Sequence, residues 1–130
     1  MSSSVRAVQV TETITALAVG RECDLTTAPE LAGIAQGVTA DGRDLIVDLT
    51  DVSFLDASTV RALLDSDAVA REHGCMLVVQ LDEGGFARRV LAITGADRTL
   101  AVAPTLRSAI QLIDEGYPVA ASGTSPAATA

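Results

Sequence analysis

The chain has 130 residues, of which 48% are hydrophobic and 20% are charged, a composition typical of one globular domain. Its 17 acidic residues outnumber nine basic residues, all of them arginine, so the net charge is −8 and no lysine is present. The negative charge disfavours nucleic acid and anionic membranes as partners. The lack of lysine excludes Schiff-base chemistry and P-loops, and an aromatic content of 2% is too low for a base-stacking surface.

The two ends of the chain and its cysteines bear on domain organisation and cellular location. Residues 1–4 are predicted to be a short disordered start, 5–115 a single domain, and 116–130 a disordered low-complexity tail. No apolar run reaches about 18 residues and no signal peptide is evident, so we expect a cytoplasmic protein. Cys23 and Cys75 are then expected to be reduced and buried, with a disulfide or redox role as the alternative.

Apolar periodicity and turn residues predict alternating strands and helices. Strands are predicted at Val5–Thr11 and Ile14–Arg21, paired near Thr11–Thr13, followed by a helix capped by Thr26 or Thr27, with Pro29 in its first turn and Asp41-Gly42 at its end. The later elements are a strand at Leu45–Leu49, a helix at Ser58–His73, a strand at Cys75–Leu81, a helix at Phe86–Ile93, a strand at Leu100–Ala103 and a helix at Thr105–Asp114. The order ββαβαβαβα predicts an α/β domain with a mixed, mostly parallel sheet of about five strands covered by about four helices.

Helical spacing also predicts which side chains face the core. The residues predicted to be buried are Leu31, Ile34, Ala35 and Val38 in the first helix, Val60, Leu63, Leu64 and Ala68 in the second, and Val90, Leu91 and Ile93 in the third. The residues predicted to be exposed are Arg61, Asp65, Arg71 and Glu72 in the second helix and Arg88-Arg89 in the third.

Common enzyme sites are difficult to assemble from these residues. The single histidine, His73, ends a helix, where a positive charge is favourable and a catalytic role is not required. Histidine and cysteine are too few for a zinc site, and no cofactor-binding motif is present, so we expect neither metal nor cofactor. Asp48, Asp51 and Asp56 follow or flank a strand end, where aspartates commonly cap turns and helices. A phosphoacceptor receiver domain would place an aspartate like Asp48 there, but it requires a lysine after its last strand, which this chain lacks.

The segment Phe54-Leu55-Asp56-Ala57-Ser58-Thr59-Val60-Arg61 joins a buried strand to an amphipathic helix. Asp56 or Ser58 can cap this helix, because the first amide groups of a helix lack partners within it. The same position can accept a phosphoserine with little unfolding, since free N–H groups and the positive end of the helix dipole favour an anion there. Capping alone and phosphorylation of Ser58 are both compatible with the segment.

Three stretches resemble the STAS domain family of anti-sigma-factor antagonists. GRECDLTTAPEL, at 20–31, is similar to the family's opening G-E-x-D-L-x-T-A-x-x-L, and LIVDLTDVSFLDASTV, at 45–60, is similar to its central signature, which ends in D-S-S-G. RVLAITGAD, at 89–97, resembles a later conserved segment. The resemblance extends in order from about Val5 to Asp114.

Membership of this family implies a regulatory protein that is not an enzyme. In bacterial members, the unphosphorylated antagonist binds an anti-sigma factor that is also a serine kinase, which frees a sigma factor for transcription. Phosphorylation separates the pair, and a PP2C-type phosphatase restores it. The resemblance implies Ser58 as the phosphoacceptor and a partner-binding face that includes Asp24, Asp56, Ser58, Thr59 and Arg61, in a monomer or weak dimer.

Two departures from the signature leave alternatives open. Ala57 replaces the first serine, and Thr59 replaces the glycine, so that Thr59 adds bulk beside Ser58 and is an alternative acceptor. A second hypothesis keeps the fold without phosphorylation, as a constitutive scaffold or interaction subunit like the STAS domains of stressosome-like assemblies and some transporters. A third, a small-molecule or nucleotide sensor, is disfavoured by the acidic charge and the lack of a glycine-rich phosphate loop.

Overall fold

Five strands form one sheet in the computed structural model, which describes residues 5–21 and 26–116. The strands are β1 (Val5–Gln9), β2 (Ile14–Val19), β3 (Asp44–Asp48), β4 (Leu77–Gln80) and β5 (Ala101–Ala103), and they lie side by side in that order. The β1–β2 pair is antiparallel, whereas β2–β3, β3–β4 and β4–β5 are parallel. The predicted mixed, mostly parallel sheet is therefore confirmed.

Within residues 5–21 and 26–116, four helices connect or follow the strands. They are α1 (Thr27–Ala40), α2 (Ala57–Glu72), α3 (Phe86–Thr94) and α4 (Leu106–Glu115), with a short 3-10 turn at Ala96–Arg98 after α3. Every predicted element is present, with ends that differ by one to a few residues. For example, β4 begins at Leu77 because the Cys75 N–H donates to the carbonyl of Ala70, which makes Cys75 part of the end of α2 (2.8 Å).

Of the two ends that were predicted to be disordered, only Gly116 is among the described residues. Residues 1–4 and 117–130 lie outside the described residues. Gly116, predicted as the start of the tail, instead closes α4 in a left-handed conformation with φ of 62°, which glycine adopts without steric cost.

The sheet is covered on both faces, as the continuous apolar runs of its central strands require. Successive side chains of a strand point to opposite faces. In β3 and the residue that follows it, Leu45, Val47 and Leu49 join the larger core with α1, α2 and α3. Ile46 instead joins a smaller core on the other face, where Ala109 and Ile113 of α4 pack. Apart from Cys75, the buried side chains of both cores are aliphatic, and neither phenylalanine belongs to them.

Two predictions of burial were wrong. Ala68 of α2 is exposed, because the buried side of that helix runs through Val60, Leu63, Asp67 and Ala70. Asp67 tolerates this position through an ion pair with Arg71 at 2.9 Å. Burial nevertheless raises the pKa of Asp67, and the charge of Arg71 acts in the opposite direction.

Ile93 of α3 was predicted to be buried but is 77% exposed. Its helix is short, and its core side is defined by Ala87 and Leu91, which lie one turn apart. Two residues after Leu91, Ile93 is rotated by about 200° around the helix axis and so points away from the core.

The guanidinium of Arg43 ties the start of β3 to the hairpin between β1 and β2. It donates to the Thr15 hydroxyl at 2.8 Å, and to the carbonyls of Glu12 at 2.6 Å and Thr11 at 3.0 Å. The turn itself is organised by the Thr11 hydroxyl, which accepts from the Thr13 and Ile14 N–H groups. A single cation thus satisfies carbonyls that the turn leaves without strand partners.

We predict that Arg43→Ala lowers the free energy of unfolding by about 1.5–3 kcal/mol, the usual range for hydrogen bonds that involve a charged group. Urea denaturation followed by circular dichroism measures this change. The matched control is Arg107→Ala on α4, which is exposed and is expected to stay within about 0.5 kcal/mol of the wild type. Equal stability of the two variants would contradict the role assigned to Arg43.

Candidate functional site

The loop between β3 and α2 is held by polar contacts at both of its ends. Near β3, the Asp48 carboxylate accepts from the Thr50 N–H at 2.9 Å and from the Thr50 hydroxyl at 2.6 Å. Further along, the N–H and the hydroxyl of Ser53 both donate to the carbonyl of Arg21, at 2.9 Å and 3.1 Å. Asp48 therefore organises a turn, and Ser53 attaches the loop to the chain that follows β2.

This attachment bears on Asp24, which was predicted to lie near the α2 signature. Asp24 and Cys23 fall in 22–25, outside the described residues. Arg21 immediately precedes that segment and is bonded to Ser53, three residues before Asp56. The proximity of Asp24 to the start of α2 stays a prediction.

The carboxylate of Asp56 caps α2, one of the two caps that the sequence allowed. Asp56 has an extended backbone (φ −95°, ψ 172°), and its Oδ1 accepts from the Thr59 N–H at 2.9 Å. The same oxygen accepts from the Ser58 hydroxyl at 3.1 Å. One carboxylate oxygen therefore accepts a hydrogen bond from an N–H group of the first helical turn and another from the hydroxyl of the predicted phosphoacceptor.

These contacts lower the pKa of Asp56 below its usual value. The Thr59 hydroxyl has the largest influence, then the Thr59 N–H, and the Ser58 hydroxyl contributes less, while partial burial opposes all three. The Thr59 hydroxyl is buried and forms no hydrogen bond of ordinary geometry within the described residues, whereas the Thr59 N–H bond to Asp56 is well formed at 2.9 Å. Asp56 is thus a carboxylate at neutral pH, a hydrogen-bond acceptor and a weak base.

The structure separates the two candidate acceptors by exposure. Ser58 is exposed on the first turn of α2, whereas Thr59 is 0% exposed. Within the described part of the chain, the N–H groups of Ala57 and Ser58 have no hydrogen-bond partner, as expected at a helix start. A phosphate on Ser58 would therefore lie near free N–H donors. The side chain of Thr59 is buried beneath the start of the helix.

Arg61 follows on the same helix and is exposed, as predicted. It has no hydrogen bond or ion pair to another described residue, in contrast to Arg71 and Arg88, which pair with Asp67 and Asp97. The exposed start of α2 thus carries a hydroxyl, a carboxylate and an unpaired cation within two turns.

Neither His73 nor Cys75 forms a reactive site in the described structure. His73 is the C-cap of α2, with its Nδ1 3.0 Å from the Val69 carbonyl. The Cys75 thiol is free and buried, and burial raises its pKa, with the charge of Asp44 adding to the effect. Among residues 5–21 and 26–116, no group of three or more potential metal ligands comes together.

One feature beside this site, the contact between Phe54 and Phe86, was not predicted from the sequence. Their rings stack with centroids 6.3 Å apart, and the side chains are 52% and 40% exposed. The signal available in the sequence was that each phenylalanine lies next to the start of a helix. A contact between positions 32 residues apart could not be read from that signal.

We predict that Asp56→Ala lowers the free energy of unfolding by about 1 kcal/mol, the usual effect of losing a helix cap, and that Asp56→Asn retains most of the stability. Because the folded state lowers the pKa, the contribution of Asp56 is present above about pH 4 and is lost as pH falls through the folded pKa. Thermal unfolding from pH 7 to pH 3 measures both effects. The control is Asp65→Ala, an exposed position on the same helix, and an Asp65→Ala loss equal to that of Asp56→Ala would contradict the assignment.

Comparison with known proteins identifies the domain family. A family model described as Mlab, STAS domain, matches residues 7–124. A search of curated proteins found no match.

In the described part of the chain, no helix has the length and apolar character needed to span a membrane.

Several solved structures share the fold. An anti-sigma factor antagonist from Mycobacterium paratuberculosis is 26% identical, with a TM-score of 0.73 over 85% of this chain and 95% of that one. The anti-sigma factor antagonist SpoIIAA in its unphosphorylated form is 16% identical, with a TM-score of 0.71 over 85% and 96%. The Bacillus cell fate determinant SpoIIAA in its phosphorylated form is 17% identical, with a TM-score of 0.64 over 82% and 96%. Since the family model spans nearly all of the chain, the protein belongs to the STAS domain family.

Proposed function

We propose that the protein is an anti-sigma factor antagonist controlled by phosphorylation of Ser58. Unphosphorylated, it binds an anti-sigma factor serine kinase and so releases a sigma factor. The kinase phosphorylates Ser58, the complex separates, and a PP2C-type phosphatase returns the protein to its binding form. It acts in the cytoplasm by binding rather than by catalysis, as a monomer or weak dimer.

The observation that carries this proposal is the placement of the Ser58 hydroxyl. It is exposed, lies on the first turn of α2 and is held by the cap Asp56 at 3.1 Å. A kinase needs an accessible hydroxyl, and a stable fold needs a cap that survives modification. Asp56 provides the cap through the Thr59 N–H, a bond that phosphorylation of Ser58 does not remove chemically.

Phosphorylation changes this surface in two ways. The Ser58 hydroxyl loses its hydrogen, so it can no longer donate to Asp56, and the new group adds about −1.5 to −2 charges beside an existing carboxylate. The free N–H groups of Ala57 and Ser58 and the helix dipole offset part of that repulsion. The fold is therefore retained while the docking surface becomes strongly anionic.

The added charge is large enough to act as a binding switch. A partner carboxylate about 5 Å from the phosphate would be repelled by about 3 kcal/mol per charge pair at an effective dielectric constant of ~20. That energy corresponds to a loss of affinity on the order of a hundredfold. A partner that pairs with Arg61 through a carboxylate would be sensitive in this way.

The proposed docking face consists of Asp24, Asp56, Ser58 and Arg61 as direct contacts. Thr59, which was included in the predicted face, has a buried side chain, and its N–H instead donates to the cap Asp56. This arrangement also favours Ser58 over Thr59 as the acceptor.

We predict that incubation with a candidate anti-sigma kinase from the same genome and ATP adds one phosphate to the wild type. Ser58→Ala should accept none, because it lacks the exposed hydroxyl. Intact-mass spectrometry measures the gain, and Ser53→Ala, which removes a nearby exposed hydroxyl, is the matched control that should still gain one phosphate.

Two other results would change the assigned acceptor or the proposed switch. A phosphate that persists in Ser58→Ala but disappears in Thr59→Val would move the acceptor to Thr59 and require the start of α2 to open. Measurable binding of the kinase with no phosphate on the wild type would contradict the switch and favour the constitutive scaffold.

A further inference from the structure

Three exposed apolar side chains lie on the loop before α2 and along one side of α3. Phe54 lies in the β3–α2 loop and stacks on Phe86, the first residue of α3. Ile93 is seven residues beyond Phe86, which places it two turns along the same side of α3. We call Phe54, Phe86 and Ile93 the apolar ridge.

The ridge is unusual for a small domain of this composition. The chain has only two phenylalanines, and both are exposed, at 52% and 40%, while the cores are filled with aliphatic side chains. Among the described residues, Ile93 is the most exposed large hydrophobic side chain, at 77%. Exposing large apolar side chains together has no benefit for folding, and such clusters commonly mark interaction surfaces in which aromatic residues contribute most of the affinity.

The charge on the ridge indicates the kind of partner it fits. Arg89 lies on α3 between Phe86 and Ile93, at the spacing that brings helical side chains together. It is exposed and has no ion pair with another described residue, although the protein has an excess of acidic residues. An apolar surface with an unpaired arginine is complementary to a nonpolar groove bordered by carboxylates.

The position of the ridge connects it to the proposed switch. Phe54 is two residues before the cap Asp56 and four before Ser58, in the loop that Ser53 bonds to the end of the β2 segment. A partner that covers Ser58 is thus brought next to Phe54, and the ring contact continues that surface onto α3.

We propose that the apolar ridge, with Arg89, is the main affinity surface for the same protein partner that phosphorylates Ser58. The partner contributes a nonpolar groove with an acidic edge. The ridge supplies affinity that does not depend on the phosphate, while Ser58 supplies the regulated repulsion. The inference rests on the proposed function, because it assigns the ridge to that kinase.

The alternative occupants are less compatible with these charges. A second copy packed ridge to ridge would bring two unpaired Arg89 side chains together, and like charges in contact are unfavourable. An anionic membrane would be repelled by a net charge of −8.

The test compares Phe86→Ser and Ile93→Ser with Leu106→Ser. Leu106 is a matched control, because it is also 40% exposed but begins α4, the helix that covers the opposite face of the sheet. Calorimetry with the kinase should show at least a tenfold weaker Kd for each ridge variant and less than a twofold change for Leu106→Ser. In phosphorylation assays, KM should rise at least tenfold with kcat unchanged, since the ridge binds the partner but does not touch the reacting atoms.

A charge variant keeps the test valid if Phe86→Ser fails to fold. Arg89→Glu should weaken binding at least tenfold at low salt and less at high salt, whereas Arg107→Glu on α4 should not. The ridge proposal would be contradicted if the ridge variants and Arg89→Glu bound the kinase and were phosphorylated like the wild type. That result would leave the proposed function intact. A wild type that neither binds nor accepts phosphate would overturn both. If sedimentation shows that the ridge variants abolish self-association of the chain alone and leave kinase binding unchanged, the ridge is a dimer surface and the proposal is wrong.

Discussion

The unpaired amides at the start of α2 are the constraint around which this surface is arranged. The first N–H groups of a helix have no partners within it, and here a single carboxylate, that of Asp56, satisfies one of them and also holds the Ser58 hydroxyl. The remaining free donors give the helix start a positive character that accepts an anion. The capping that stabilises the fold and the chemistry that suits a phosphate therefore use the same few atoms.

The two roles proposed for the surface require different physical properties. A switch needs a group whose charge can be changed without unfolding the chain, which describes an exposed hydroxyl on a capped helix. Affinity needs apolar surface that is exposed in both phosphorylation states. The side chains of Phe54, Phe86 and Ile93 provide such a surface. In the proposed switch, separating the two would let phosphorylation reduce binding strongly while the docking surface keeps its shape. Thr59, in place of the family's glycine, does not disturb this division because its side chain points into the protein.

The order of elements and the parallel sheet were predictable because their signals are local. The alternation of Leu45, Ile46 and Val47 between two cores follows directly from strand geometry. The failures arose where packing depends on distant residues. Ile93 was predicted to be buried together with Val90 and Leu91, yet only tertiary structure decides which side of a short helix meets the core. The stacking of Phe54 on Phe86 likewise depends on how the sheet brings two loops together, and no local pattern specifies it.

The central claim is that one phosphate on Ser58 controls binding of the partner without altering the fold. The most direct measurement is the affinity of the anti-sigma kinase for wild-type protein with and without phosphate on Ser58, each prepared pure and checked by circular dichroism. We expect matching spectra and an affinity on the order of a hundredfold lower for the phosphorylated form. Equal affinities, or a loss of affinity accompanied by loss of the folded spectrum, would contradict it.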